Sequence, residues 1–168
     1  MKPVATLLTV LVLVSGSVGC HGSRDDKATG VPKAEIAAAL TSFTEAFVNG
    51  DTSALPELVS KGCNAQQVAQ LQNASQLGNQ VLLGGKLNLT VDANSLVLKV
   101  QDHGVAVPLD QPAGALVATF TINGQPGPYE HPLDLFHAPP VFVGDRGAWR
   151  LSNCGALLKS RGESASTP

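Results

Sequence analysis

The sequence predicts a single α+β domain in which N-terminal helices pack on an antiparallel sheet. Apolar residues recur at every third or fourth position in the first half of the chain, and they alternate with polar residues after Gly84-Gly85. Helices followed by a run of strands are typical of this class, because a sheet with one apolar face needs a helical layer to cover it. The length of 168 residues is that of one domain.

The first predicted helix begins after Pro32 and ends at Gly50. Its inward face carries apolar residues at helical spacing: Ile36, Ala37, Ala39, Leu40, Phe43 and Phe47. Asp51 or Thr52 can cap a second, shorter helix that ends near Lys61-Gly62, and Asn64 can cap a third that stops near Gly78. The apolar residues expected to face inward from these two helices are Leu55, Leu58, Val59, Val68, Leu71 and Leu77.

Five strands are predicted in the second half. Alternating residues indicate strands over 87–91 and 95–100, joined by a tight hairpin at Asp92-Ala93-Asn94. A third strand covers Leu116 to Ile122 and a fourth runs near Tyr129 to His137. The last prediction is a terminal hairpin from Val141 through Asp145-Arg146-Gly147 to Leu151.

Prolines and glycines mark the connections. Val105 to Pro112 is too often interrupted by proline for a central strand, and Pro108 to Gly114 and Gln125 to Pro128 are expected to be surface loops. Trp149 shares a strand face with Leu151, so it is expected to anchor the core beneath the first helix.

The charge balance excludes one class of function. Eleven Lys and Arg against 13 Asp and Glu give a formal net charge of −2, so no basic surface is available to neutralise a phosphate backbone. Hydrophobic residues make up 43% of the chain and charged residues 14%, which is too apolar and too weakly charged for a disordered protein. We therefore expect a folded domain that does not bind nucleic acid.

The first twenty residues have the order of an export signal. Lys2 supplies a positive charge, Val4 to Val14 form a run of eleven apolar or Thr residues, and small residues follow up to Cys20. Eleven helical residues cover about 16 Å, roughly half of a bilayer core, which is too short for a lasting transmembrane span. We predict a signal peptide over residues 1–19, with a core helix as the alternative.

The segment Ser17-Val18-Gly19-Cys20 resembles a bacterial lipobox, although Ser17 stands where an aliphatic residue is usual. The resemblance implies a lipidated Cys20 and a protein anchored to the outer face of the cell membrane; secretion is the alternative. Residues 20–32 are polar, contain glycine and lack periodicity, which predicts a flexible tether. The similar composition of residues 161–168 predicts a disordered tail, so that the folded domain covers residues 33–160.

Three cysteines are present. If Cys20 carries a lipid, Cys63 and Cys154 remain to pair with each other, 91 residues apart. A bridge that closes so long a loop could stabilise the fold by about 4 kcal/mol in the chain-entropy model. An oxidising compartment favours this disulfide, and two buried thiols are the alternative.

Two stretches carry a family resemblance. AAALTSFTEAFVNGDTSALPELVSKG resembles the opening of the cystatin-like, nuclear-transport-factor-2-like superfamily, and VFVGDRGAWRLSNCGALL is similar to its terminal hairpin. With the lipobox, the chain from Lys33 to Leu158 resembles the low-molecular-weight secreted antigens and lipoproteins of mycobacteria and related actinobacteria. The resemblance implies a sheet curved into a cone whose mouth can hold a small apolar molecule, and enzymes of the superfamily place an acid or a His inside it.

No motif for catalysis stands out. The polar residues that such a pocket could use are Asp102, His103, Tyr129, Asp134 and His137. Asp102-His103-Gly104 is most simply a turn. If residues 131–137 form a strand, His131 and His137 lie about 20 Å apart, too far to share a metal, so no metal or other cofactor is expected.

Three functions are compatible with these features. We expect a lipid-anchored binding or accessory protein of the cell envelope without catalysis, which holds an apolar ligand or docks onto an envelope protein complex. The first alternative is a small pocket enzyme of the isomerase or dehydratase kind that uses Asp102 or Asp134 with a His. The second is a sensor or inhibitor module that contacts another protein through its sheet or loops.

Overall fold

The computed structural model describes residues 30–81, 85–108, 116–122, 125–132 and 135–158. The predicted signal peptide, Cys20, most of the tether and the C-terminal tail lie outside these residues, as does Asp134. The described part is a mixed α+β fold with antiparallel strands, as the sequence predicts. None of its helices is long and apolar enough to cross a membrane.

Helix α1 (Lys33–Val48) lies at the centre of the fold and contacts α2 (Leu55–Leu58), α3 (Ala65–Val81) and both groups of strands. Its predicted inward face is buried except at Ala39, which is only partly buried, and Ile36, Leu40 and Phe43 are fully inaccessible. Phe43 and Phe47 lie within 6.0 Å of each other and of Phe136 between ring centroids. This cluster fills the space between α1 and the strands.

Helices α2 and α3 differ in length from the predictions. Helix α2 is a single turn, because Val59 is already extended and bridges to Leu151. Helix α3 continues past Gly78, since one glycine weakens a helix by only about 1 kcal/mol. The prediction that Leu77 faces inward is wrong: its side chain is 56% exposed. Leu77 follows Leu71 by six residues, which is about 240° around a helix, so the two side chains point in different directions. Ser75, four residues after Leu71, is buried instead.

The strands form two sheets in the described residues instead of one. The first has the order β1 (Lys86–Thr90), β4 (Val117–Ile122), β5 (Gln125–Pro132). The second has the order β2 (Lys99–Gln101), β3 (Gly104–Ala106), β6 (Val141–Asp145), β7 (Ala148–Leu151). All of these pairs are antiparallel.

Three strand predictions are corrected by this topology. The predicted hairpin at Asp92-Ala93-Asn94 is wrong, because β1 pairs with β4 while the next strand, β2, pairs with β3 in the other sheet. Strand β3 is central although proline follows it, because it ends at Ala106, before Pro108. Gln125 to Pro128 belongs to β5 and is not a loop, since an edge strand tolerates proline.

Cys63 and Cys154 form a disulfide, as predicted, with their Cα atoms 5.8 Å apart. It joins the segment just before α3 to the first residue of a short helix, α4 (Cys154–Leu157). Both cysteines are buried in the core. The bond ties the end of the second sheet to the helical layer.

Candidate functional site

An open groove runs along the outer face of α1. Its floor consists of small residues at helical spacing: Ala38, Ala39, Ser42 and Ala46. One section, of about 370 Å³, lies at the start of the helix, and another, of about 610 Å³, lies towards its end. Ser42 and Leu58 line both sections, so the two are adjacent. The α1 residues that line the groove run from Glu35 to Asn49, about 21 Å along the helix axis.

The terminal β6–β7 hairpin forms one wall of the first section with Gly147, Ala148 and Trp149. The indole N–H of Trp149 donates to Oε2 of Glu35, with 3.1 Å between the heavy atoms. Trp149 is only half-buried, so the prediction that it anchors the core is corrected, whereas Leu151 is fully buried. Trp149 lies near the hairpin tip, where it packs against the edge of the core and lines the groove beside the first turns of α1.

The turn at Arg146-Gly147 fixes the position of this wall. Both residues have positive φ, 52° and 73°, as a two-residue type I′ hairpin turn requires. Nη2 of Arg146 donates to the carbonyl of Val59 at 2.9 Å, and Oδ2 of Asp145 accepts from the backbone N–H of Lys61 at 2.8 Å. These bonds hold the hairpin against the segment after α2, which brings Trp149 and Leu58 to the same section of the groove.

Polar side chains at the end of α1 form part of the second section. The Asn49 amide donates to the carbonyl of Leu87 at 2.9 Å and accepts from its N–H at 2.8 Å. Oε1 of Glu45 accepts from the N–H of Leu89 at 3.3 Å. Because β1 pairs with β4 on its other side, these two side chains satisfy backbone groups along the remaining edge of β1.

The sequence Asn49-Gly50-Asp51 serves to turn the chain at this end. Gly50 has φ 74°, and a Cβ atom there would lie 2.8 Å from Cβ of Asn79. Oδ1 of Asp51 accepts from the hydroxyl of Ser53 at 2.7 Å and from the N–H of Ala54 at 3.2 Å. These two hydrogen bonds lower the pKa of Asp51, so its carboxylate stays ionised at neutral pH.

The groove lining is predominantly acidic. It includes three carboxylates, those of Glu35, Glu45 and Asp51, and one cationic residue, Lys86. The salt bridges formed among the described residues join Arg146 to Glu57 and to Asp145, and they involve none of these three carboxylates. The groove thus combines a flat floor of small side chains with carboxylates at both ends.

The polar residues singled out from the sequence lie elsewhere. Asp102 and His103 are exposed in the β2–β3 turn, as predicted for a turn, and His137 is exposed in a bend after Phe136. None of these three lines the groove. Tyr129 belongs to β5, not to the start of a strand that continues to His137, and its side chain is not among those described.

No group of three or more His, Cys, Asp or Glu residues in the described ranges could hold a metal ion. The groove residues were missed because Ala, Ser and Glu at helical spacing are also typical of an ordinary exposed helix face. The one available signal was the second stripe of small residues on α1, from Ala38 to Ala46.

Comparisons with models of protein families, with curated proteins and with solved structures found no match to this chain.

Proposed function

We propose that this protein is an exported, lipid-anchored binding protein of the cell envelope, without catalysis, whose groove along α1 is the binding surface. The observation that carries the proposal is the groove itself. Binding sites are concave, mostly apolar surfaces with a few placed polar groups, and this groove has an apolar floor, the Trp149 and Leu58 side chains, and carboxylates at its ends.

Anchoring at Cys20 would set the position of this groove. Pro32 is twelve positions after Cys20, and the flexible tether predicted there would have an end-to-end distance of about 19 Å. The Glu35 end of the groove would then lie nearest to the membrane. The order of the export signal supports this arrangement, and so does the disulfide between Cys63 and Cys154, because such bonds persist in oxidising compartments.

We also propose that the fold is cystatin-like and that the chain belongs with the actinobacterial antigens and lipoproteins that it resembles. Support comes from long α1, the turn at Gly50-Asp51, the one-turn α2 and the terminal β6–β7 hairpin. An experimental structure in which the chain outside the described residues joins both sheets into one curved sheet would agree with this. Two separate sheets with no common curvature would contradict it.

Photo-crosslinking in the native envelope tests the binding role. A photoreactive amino acid is placed at Ser42, where the two sections of the groove meet, and in a control protein at Asn73, an exposed residue of α3 outside the groove. We expect a defined adduct from position 42 that is missing from position 73. The same adducts from both positions, or none from position 42, would contradict the proposal.

A further inference from the structure

We infer that the groove holds an extended, basic segment of a partner protein, with two cationic side chains about 15 Å apart and small residues between them. The inference rests on the proposed binding role of the groove. Glu35 and Glu45 are ten positions apart on α1, which is about 15 Å at the rise of a helix. An extended peptide covers that distance in four or five residues.

The charges that line the groove favour a basic partner. Three carboxylates and one ammonium group line the groove, and none of the three carboxylates takes part in the salt bridges found among the described residues. At the first end, the Trp149 indole holds the Glu35 carboxylate beside an aromatic ring. An arginine side chain suits this pair, because its guanidinium stacks on aromatic rings and pairs with carboxylates. At the other end, Glu45 and Asp51 provide the second anionic position.

The shape of the groove floor favours a peptide with an extended backbone. The floor of Ala38, Ala39, Ser42 and Ala46 has no large side chain, so a peptide backbone can lie close to α1. Small residues between the two cations avoid the Leu58 and Trp149 side chains. Strand addition to β1 is disfavoured, because Asn49 and Glu45 already bond to the N–H and carbonyl of Leu87 and to the N–H of Leu89. Binding therefore depends on the two cationic side chains of the partner and on the small residues between them.

The chain's own terminal segments fit this description poorly. Arg24 and Lys27 precede α1, but Asp25 and Asp26 lie between them and cancel their charge. The two cations are also only three positions apart, about 10 Å in an extended chain. In the tail, Lys159 and Arg161 are two positions apart, about 7 Å. A segment of another protein is the better occupant.

The emission of Trp149 provides a direct test, because it is the only tryptophan in the chain. The mature protein, residues 20–168, is titrated with the blocked hexapeptide Arg-Ala-Ser-Gly-Ala-Arg at low ionic strength. Two control peptides have Glu in place of both Arg, or have the two Arg adjacent. We expect saturable emission changes with the first peptide only, and weaker binding as salt is added, since exposed charges are screened. Equal responses to either control would overturn the inference.

Matched variants locate the binding. Glu35→Gln and Glu45→Gln each remove one charge while keeping an oxygen that can accept the observed hydrogen bond, and each should weaken peptide binding about two- to fivefold. Glu57→Gln removes the same charge outside the groove and should leave binding unchanged. Ser42→Phe should block the groove and abolish binding, whereas Asn73→Phe should not. Equal weakening by Glu57→Gln would overturn the inference.

The peptide titration and the crosslinking experiment distinguish failure of this inference from failure of the proposed function. If the basic peptide does not bind while position 42 yields an adduct in the envelope, the groove binds another ligand and only this inference falls. If the peptide binds with the expected variant pattern while position 42 yields no adduct, the charge preference stands and the proposed function falls.

Discussion

Single side chains hold the second section of the groove in place, and Asn49 is the clearest case. Its amide makes two hydrogen bonds to the backbone of Leu87, in the way that a neighbouring strand would. We expect Asn49→Ala to lower the free energy of unfolding by about 1–3 kcal/mol, because it leaves a half-buried donor and acceptor unpaired. Urea unfolding measures this loss. Asn88→Ala removes an exposed amide that bonds to Thr121 and should have a much smaller effect; equal losses would contradict the argument.

Two glycines should respond in opposite directions to the same substitution. Gly50→Ala meets a positive φ and the side chain of Asn79, so we expect it to destabilise the protein by more than about 1 kcal/mol. Gly78 lies within α3 and a Cβ atom there would meet no atom within 4 Å. Gly78→Ala should therefore stabilise the protein by about 0.4–1 kcal/mol. Thermal unfolding of both variants checks the signs, and matching signs would refute this assignment.

The burial of two residues of β7, Trp149 and Leu151, predicts how much stability each contributes. Leu151 is fully buried, and Leu151→Ala should cost about 2–5 kcal/mol of stability. Trp149 is half-buried, so Trp149→Ala should cost less than Leu151→Ala despite the larger side chain removed. Denaturant unfolding of the two variants gives the order. A larger loss for Trp149→Ala would mean that the indole belongs to the core, as the sequence pattern alone predicts.

Among the elements, the disulfide between Cys63 and Cys154 connects parts that are distant in sequence. It closes a loop of 91 residues, so the unfolded chain loses much of its freedom and the folded state gains about 4 kcal/mol in the chain-entropy model. We expect Cys63→Ala and Cys154→Ala to lose similar stability, and the double variant to lose little more, because one bond is lost in every case. Two reactive thiols in the unreduced, denatured protein would contradict the bond.

The helices and strands could largely be predicted from the sequence, whereas the pairing of the strands could not. Periodicity located α1, β1, β4 and the β6–β7 hairpin, because it records which side of each segment is buried. It does not record which strand lies beside which. The alternation in residues 95–100 predicts a strand, but residues 95–98 are not in a strand. Strand β2 covers only Lys99–Gln101, pairs with β3 and leaves Val100 60% exposed. A pattern within one segment cannot show that the adjacent segment belongs to another sheet.

For the whole molecule, the sequence predicts a binding protein but does not indicate where the groove lies. Acids and histidines such as Asp102 and His137 stand out in a sequence because their chemistry is distinctive, yet both are exposed outside the groove. The groove arises where α1 meets a hairpin about 100 residues further along, and its floor is made of small, inconspicuous side chains. Concavity of this kind depends on tertiary packing, which no local motif encodes.

In the proposed function, the position of the molecule in the cell depends on Cys20. One acyl chain gives only marginal membrane binding, so a stable anchor requires more than one chain on this residue. We expect the native protein to fractionate with the membrane, and intact-mass measurement to find Cys20 acylated at a new N-terminus. Cys20→Ala should release the domain into the medium or leave the precursor unprocessed, while Cys63 and Cys154 still form their disulfide. An unmodified Cys20 in the native protein would rule out the anchor, and with it the placement of the Glu35 end of the groove towards the membrane.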